Sequence, residues 1–208
     1  MNDGVVSTAS LMLGVLAASA TNKAVVVAGI AGLSAGALSM AVGEYVSVSS
    51  QKDSEKADIE IEERSLATNP DEELAELAGI YEKRGLDPIL AQQVAVQLHD
   101  HDAISAHARD ELGINQDALA NPSQAALASA ATFSIGAIVP ILAALVSHGS
   151  KSGSIIVMAS LVTLAISGAI GAMIGGGHKL LAAGRVLVGG GAAMAITALI
   201  GHLIGSHI

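Results

Sequence analysis

Residues 28–53 read AGIAGLSAGALSMAVGEYVSVSSQKD, and this stretch decides how the rest of the chain is organised. Between residues 24 and 48 the only ionisable side chains are Glu44 and Tyr45. About 20 mainly apolar residues are enough for a helix to cross the hydrocarbon core of a bilayer. We therefore predict that residues 24–48 form a membrane-spanning helix, which then emerges into a strongly acidic region.

Glu44 and Met40 are the unusual residues of this predicted span. An ionised carboxylate near the bilayer centre costs at least about 2.5 kcal/mol, so such groups usually face a partner, a cavity or an ion path. Met40 lies four residues before Glu44 and therefore shares its helix face. We interpret the two side chains as donors along an ion path. The structural alternatives are core packing for Met40, and snorkelling or an interhelical hydrogen bond for Glu44.

The composition separates an apolar part of the chain from an acidic part. Hydrophobic residues make up 51% of the sequence, yet 17 of its 19 acidic residues fall within residues 53–117, beside five basic residues. Because no basic face exists to release phosphate counterions, the sequence argues against nucleic acid as a partner. The chain has no cysteine, so a metal ion would have to be held by carboxylate, imidazole, thioether or carbonyl groups.

Five apolar segments predict an all-α membrane protein with five spans. The segments are residues 1–19, 24–48, 125–146, 154–174 and 186–204. We expect three parts: transmembrane helices 1 and 2 in residues 1–50, a small acidic helical domain in the cytosol in residues 51–121, and transmembrane helices 3 to 5 in residues 122–208. Lys52 and Lys56 beside the acidic domain favour a cytoplasmic location for that domain and for the N-terminus. Since the sequence shows no targeting signal and no cysteine, we expect a bacterial inner membrane protein.

Two sequence features predict details of the packing within the apolar part. Pro140 lies inside the third predicted span and is expected to kink the helix or end its regular part. Glycines recur four residues apart at Gly171 and Gly175 and at Gly201 and Gly205, a spacing that lets helix backbones approach closely in lipid.

The acidic region is predicted to contain four short helices. Pro70 interrupts the first, and Asp71 is expected to cap the second. Gly85 should end the second helix, and Asp87 should start the third together with the proline that follows it. A fourth helical segment is expected over residues 103–112.

Clustered carboxylates in the acidic region indicate a cation site. Seven of them lie within 17 residues, on two predicted helices joined by a short turn: Glu60, Glu62, Glu63, Asp71, Glu72, Glu73 and Glu76. Mutual repulsion raises the free energy of such a cluster, and a divalent cation relieves it. Glu73 and Glu76 share a helix face, as do His107 and Glu111, and both spacings suit joint ligation of a metal. The alternative is a solvated acidic surface that only aids solubility.

Several of these motifs together resemble the vacuolar iron transporter family. They are Asp3-Gly4, AGALSMAVGEYVSVSSQKD at residues 35–53, NPDEELAEL at residues 69–77 and RDELGI at residues 109–114. The resemblance implies a dimeric, five-span exporter of Fe²⁺, and often also of Mn²⁺, from the cytosol. It further implies proton antiport, a cytosolic metal-binding domain and no tightly bound cofactor.

The resemblance also assigns roles to individual residues. Asp3 and Met40 match an acid and a methionine of the family's membrane path, although Asp3 alone reads equally well as a helix cap. Glu62, Glu73, Glu76 and Glu111 match glutamates of its cytosolic metal site. The chain departs from the family pattern at Gly32, Ser65 and His107, where glutamate, glutamate and methionine are usual. We expect Glu44 to serve as the second membrane carboxylate, and His107 to ligate metal and favour Mn²⁺.

Two other classes of function remain open. The chain could be a membrane-anchored metal buffer that transports nothing, or a proton-coupled exporter of small molecules that uses Glu44 alone. An enzyme is not favoured, because the sequence offers no nucleophile and base pair and no phosphate-binding loop in a strand-turn-helix context. The partners that we expect are divalent metal ions, protons, lipid and a second copy of the chain.

Overall fold

The computed structural model describes residues 1–115, 120–147 and 149–207, and within these ranges every regular element is helical. The α-helices are α1 Asn2–Ala17, α2 Asn22–Thr68, α3 Pro70–Lys83, α4 Pro88–Asp110, α5 Pro122–Val146, α6 Ser152–Ile174 and α7 Lys179–Gly205. The predicted all-α class is confirmed. Residues 116–119, which belong to the predicted acidic domain 51–121, lie outside the described ranges.

The chain divides into two compact units. We call Met1–Glu44 together with Ser123–Ile208 the apolar unit, and Tyr45–Pro122 the acidic unit. Helix α2 is continuous over 47 residues and belongs to both units. The location of the acidic unit in the cytosol stays a prediction.

Four helices, α2, α5, α6 and α7, are long and apolar enough to cross a membrane. The first predicted span, residues 1–19, forms only the 16-residue helix α1. At 1.5 Å per residue α1 is about 24 Å long, short of the roughly 30 Å of hydrocarbon in a bilayer. Ser19 follows it with a left-handed φ of 66°, which ends the helix. The five-span count is therefore not confirmed.

Helix α1 nevertheless lies at the centre of the apolar unit. Its residues Val5, Ala9 and Met12 are completely buried, and it packs against both α6 and α7. The core around it includes buried residues from α6 and α7, such as Leu164 and Met194. Packing of its buried face therefore holds this short helix in place, although Asp3, Ser7 and Leu11 on its other face are exposed.

The glycine spacing predicts close packing correctly in α7 and wrongly in α6. At Gly201 an added Cβ would overlap the Gly14 carbonyl group of α1, and at Gly205 it would overlap Ala18. At Gly171 an added Cβ would meet nothing within 4 Å. Identical spacing therefore does not reveal which glycine pair touches a neighbouring helix.

Two boundaries in the apolar unit differ from expectation. Helix α5 continues through Pro140 to Val146, so the proline does not end it. Residues Ile141 and Ala144 on the far side of Pro140 are buried in the core, and this packing supports the last turns. Helix α7 begins at Lys179 rather than near residue 186, because most of the intervening residues are good helix formers although they are not all apolar.

The core of the acidic unit is small. Leu77, Ala78, Ala95 and Ala106 are its buried members, with Leu74, Tyr81 and Leu98 packed against them. Leu77 and Ala78 form the buried face of α3. In α4 the buried positions include Ala91 and Ala95, whereas Leu90 is 45% exposed.

The ends of the helices in the acidic unit follow the sequence except at Asp71. The N-cap residue of α3 is Asn69, without a side-chain cap, and Asp71 lies in the first turn. Gly85 follows α3 with a φ of 102°, as expected for a glycine after a helix. The side chain of Asp87 accepts hydrogen bonds from two backbone amides at the start of α4. The segment predicted over residues 103–112 is part of α4, separated from its first half by a break at Asp102.

The contrast between Gly201 and Gly171 gives a test of the packing in the apolar unit. We expect Gly201→Ala to lower the free energy of unfolding by about 1–3 kcal/mol, because the methyl group would force α1 and α7 apart. Thermal unfolding of the detergent-solubilised protein measures this change. Gly171→Ala is the matched control and should cause no loss, since its methyl group meets open space and alanine favours the helix. Equal losses in the two variants would contradict the packing of α7 on α1.

Candidate metal centre

Four ionisable side chains from three helices meet inside the acidic unit. Glu62 comes from the acidic half of α2, Glu73 from the first turn of α3, His107 from the last turn of α4, and Glu111 from the residue that follows α4. One possible ligand atom of each lies within 4.8 Å of the others. We call these four residues the carboxylate-imidazole cluster.

The imidazole of His107 is the centre of the cluster. Its Nδ1 lies 2.9 Å from Oε1 of Glu62, 3.0 Å from Oε2 of Glu111 and 3.8 Å from Oε2 of Glu73. The ring is completely buried, and its Nε2 has no hydrogen-bond partner among the described residues. His107 therefore presents one nitrogen to three carboxylates from three separate segments.

Helix α2 buries a carboxylate although an isoleucine stands next to it. Glu62 is 6% exposed, whereas Ile61 is 56% exposed. Hydrophobic residues are ordinarily the ones inside, and a buried charge lowers stability unless it is paired or binds a metal. Glu73 is also buried. This inversion is typical of a binding site rather than of a core built only for stability.

Burial raises the pKa of Glu62 above its ordinary value, and the nearby charge of Glu111 raises it further. The charge of His107 acts in the opposite direction, while Glu73 and Glu76 add to the increase. The ionised carboxylate is thus held where its charge is unfavourable. A divalent cation placed among these oxygens would relieve that cost.

Glu76, the fifth metal ligand expected from the sequence, is not one of the four clustered residues. Its side chain is exposed, although its charge still influences Glu62. The structure therefore brings together Glu62, Glu73, His107 and Glu111 and leaves Glu76 outside. Whether these residues bind metal stays a prediction at this point.

The cluster offers three carboxylate oxygens and one imidazole nitrogen. Carboxylates suit hard divalent cations such as Mn²⁺, while imidazole suits borderline ions such as iron and zinc. This set of oxygen and nitrogen ligands therefore suits first-row divalent metals better than Ca²⁺, which takes oxygen ligands alone. No sulfur ligand occurs among the four.

A break in α4 sets the direction of the segment that carries His107. Asp102 adopts an extended conformation, with φ −163° and ψ 90°, between two helical stretches. Its Oδ1 accepts a hydrogen bond from the backbone N–H of Ser105 at 3.1 Å. Asp102 thus acts as an N-cap in the middle of the helix and starts a new helical direction toward the cluster.

Asp110 ties the end of α4 to α3 beside the cluster. The Tyr81 hydroxyl donates to Oδ2 of Asp110 at 2.7 Å, and Nη1 of Arg84 donates to Oδ1 at 2.7 Å. Arg109 donates a further hydrogen bond to Oδ2. We call these contacts the Asp110 network, and because Glu111 follows Asp110 directly, the network fixes the backbone that carries Glu111.

The Asp110 network keeps its carboxylate ionised and was not visible in the sequence. Burial alone would raise the pKa of Asp110, but hydrogen bonds from Arg109, Arg84 and Tyr81 outweigh burial and hold the pKa well below its usual range. Tyr81 and Arg84 lie 29 and 26 residues from Asp110 along the chain. No local spacing signals a contact of that separation; only the helical placement of Tyr81 and Arg84 on one face could have suggested a shared partner.

In the apolar unit, two of the three predicted path residues line one cavity. Asp3 on α1 and Met40 on α2 both face a space of about 260 Å³, which Thr8, Gly32 and Phe133 also line. The cavity therefore combines a carboxylate, a thioether and a hydroxyl. Glu44, the third predicted path residue, is exposed and is not among the lining residues.

These features define a class: a helical protein with several long apolar helices, a cavity among them and a buried carboxylate-imidazole cluster in an acidic unit. Comparison with known proteins agrees with that class. The model of the VIT family matches residues 1–202. The chain is 47% identical over 203 residues to a vacuolar iron transporter of Acanthamoeba castellanii, covering 97% of this chain and 75% of that protein.

Plant proteins named as vacuolar iron transporter homologs are also similar to the chain. The chain is 40% identical to vacuolar iron transporter homolog 5 of Oryza sativa subsp. japonica, covering 94% of this chain and 73% of that protein. It is 38% identical to vacuolar iron transporter homolog 2 of Arabidopsis thaliana, covering 99% of this chain and 81% of that protein. The chain therefore belongs to the VIT family and is a multi-pass integral membrane protein.

The raised pKa of Glu62 predicts how pH affects stability in the absence of metal. An acid whose pKa is higher in the folded state contributes stability at low pH and loses it as the pH rises from its unfolded value toward its folded value. With a chelator present, we therefore expect Glu62→Gln to unfold at a higher temperature than the native protein at pH 7.5. The difference should shrink as the pH falls toward 4.5, where the native carboxyl group becomes protonated.

Adding Mn²⁺ should make the native protein unfold at a higher temperature than Glu62→Gln. A ligand that binds only the folded state stabilises that state, and the variant has lost one ligand of the metal. Thermal unfolding of the full chain in detergent, with and without the metal, measures both effects. Glu63→Gln is the matched control, because Glu63 is adjacent and exposed. Destabilisation by Glu62→Gln at pH 7.5 in the presence of the chelator would contradict the electrostatics described here.

Proposed function

We propose that the chain transports divalent iron, and also manganese, out of the cytosol by exchange with protons. The names of its relatives support iron as cargo. The single observation that carries the proposal is the carboxylate-imidazole cluster, in which three carboxylates converge on Nδ1 of a buried histidine. The presence of an imidazole beside these carboxylates suits both Fe²⁺ and Mn²⁺.

Exchange with protons follows from the chemistry of the ligands. A carboxylate or imidazole binds either a proton or a metal ion, so uptake of one releases the other. In the acidic unit this competition includes Glu62, whose pKa is raised by burial. In the apolar unit the same competition would operate at Asp3, where protonation on the far side releases the ion.

The path that we propose begins with Asp3 and Met40, which line one cavity. A carboxylate oxygen and a thioether sulfur give the ion one hard and one soft ligand after it has lost part of its water. The hydroxyl group of Thr8 in the same cavity is buried and has no hydrogen-bond partner among the described residues. We retain Glu44 as an outer residue of the path, one helical turn beyond Met40.

The topology that we propose has five crossings, with α1 as the first. Although α1 is short, its position within the core of the apolar unit places it among the long apolar helices. The N-terminus and the acidic unit then share the cytosolic side. Helix α2 is the least buried of the four long apolar helices, which leaves a face for a second copy of the chain in a homodimer.

A second candidate function is a metal buffer anchored in the membrane. All four clustered residues belong to the acidic unit, so metal binding alone needs nothing from the apolar unit. If the chain is a buffer, substitution of Asp3 should leave the protection of cells from excess metal unchanged. If the chain is a transporter, the same substitution should reduce that protection.

Flux measurements in proteoliposomes test the proposed function. With a pH gradient across the membrane, we expect Fe²⁺ and Mn²⁺ uptake accompanied by a change in an internal pH dye. Asp3→Asn should lower the maximal rate about tenfold or more, as expected when a ligand is lost. Glu62→Gln should raise the metal concentration needed for half-maximal rate, because it weakens capture by the cluster.

The control for the cluster is Glu63→Gln, which should leave the flux unchanged because its side chain points to solvent. Absence of cation flux in the native protein would reject transport and leave the buffer. A flux of Fe²⁺ that does not depend on Asp3 would reject the proposed path. Metal flux that is insensitive to Glu62→Gln would reject the role of the cluster in metal capture.

A further inference from the structure

Ser65 is a polar residue that lies next to the carboxylate-imidazole cluster without belonging to it. It follows Glu62 by three positions on α2, so the two side chains share a helix face. Its hydroxyl group donates a hydrogen bond of 2.5 Å to Oε1 of Glu73 on α3. This contact joins two of the three segments that supply the cluster.

The hydrogen bond gives the two oxygens of Glu73 different roles. Oε1 accepts from Ser65, whereas Oε2 is the atom that lies 3.8 Å from Nδ1 of His107. A carboxylate fixed at one oxygen cannot rotate freely, so its other oxygen is directed at the cluster. Residues that orient a ligand in this way commonly change metal affinity by 10–100-fold when they are removed.

The same contact limits how many metal ions the cluster can hold. Sites with two metals about 3.5–4 Å apart rely on ligands that clamp both ions. In this chain one oxygen of Glu73 already accepts a hydrogen bond from Ser65, and Glu76, one turn further along α3, is exposed. One ligand atom from each of the four clustered residues lies within 4.8 Å of the others, which fits a single coordination sphere.

We propose that Ser65 is a positioning residue that directs Oε2 of Glu73 into the cluster, and that the cluster takes one divalent ion per chain. The ion is bound by one atom each from Glu62, Glu73, His107 and Glu111. This inference rests on the proposed metal-binding function of the cluster and adds its stoichiometry and a residue outside the ligand set.

Titration of the full chain in detergent with Mn²⁺ tests the inference, using calorimetry for affinity and electron paramagnetic resonance for the amount of bound metal. We expect one Mn²⁺ per chain in the native protein. Ser65→Ala should weaken binding about 10–100-fold while the stoichiometry stays at one. Ser65→Thr keeps the hydroxyl group and should restore affinity to near the native value.

Each outcome discriminates between the parts of the proposal. If the native protein binds no Mn²⁺ at all, the proposed metal-binding function fails regardless of Ser65. Two ions per chain would overturn the single-ion site. Native affinity in Ser65→Ala, or equal weakening in Ser65→Ala and Ser65→Thr, would overturn the positioning role, because the hydroxyl group would then not be the relevant feature.

Discussion

The contact between the buried Nδ1 of His107 and three carboxylates is the interaction on which the acidic unit depends. Carboxylates from α2, α3 and the end of α4 are brought together around one imidazole, and burial makes the charge of Glu62 unfavourable there. Imidazole offsets part of this repulsion, and a divalent cation would offset more. A unit with a core as small as that around Leu77 and Ala95 gains no stability from such an arrangement. We therefore interpret the arrangement as a binding site.

Local features of α3 and α4 bring the clustered side chains together. A turn at Asn69 and Pro70 returns the chain so that Glu73 in α3 faces α2. The break at Asp102 redirects α4, and the Asp110 network fixes its end next to Glu111. None of these residues would touch the ion. They determine where the ligands are, which is the larger part of what a metal site requires from a protein.

Sequence patterns predicted what depends on local or averaged properties. Long apolar runs gave the four long helices, and Asp87 and Gly85 marked helix ends through their own backbone preferences. The density and helical spacing of the carboxylates pointed to a cation site in the acidic unit, and the resemblance of motifs assigned it to particular glutamates. Tertiary packing decided features that the local sequence did not predict. Glu62 is buried beside an exposed Ile61, and Glu76 lies outside the cluster. Asp71 does not cap α3. Contacts between residues more than 25 positions apart, such as Arg84 with Asp110, leave no local pattern.

The apolar unit also contains possible metal ligands, but fewer of them: Asp3 and Met40 line one cavity. Under the proposed function, oxygen donors in both units would exchange a proton for a metal ion. X-ray absorption spectroscopy at the manganese edge, on the native full chain loaded with Mn²⁺, examines the proposed ligand set of the carboxylate-imidazole cluster. We expect a first shell of oxygen atoms with one imidazole nitrogen, and loss of the imidazole scattering in His107→Ala. An all-oxygen shell that is identical in the native protein and in His107→Ala would contradict it.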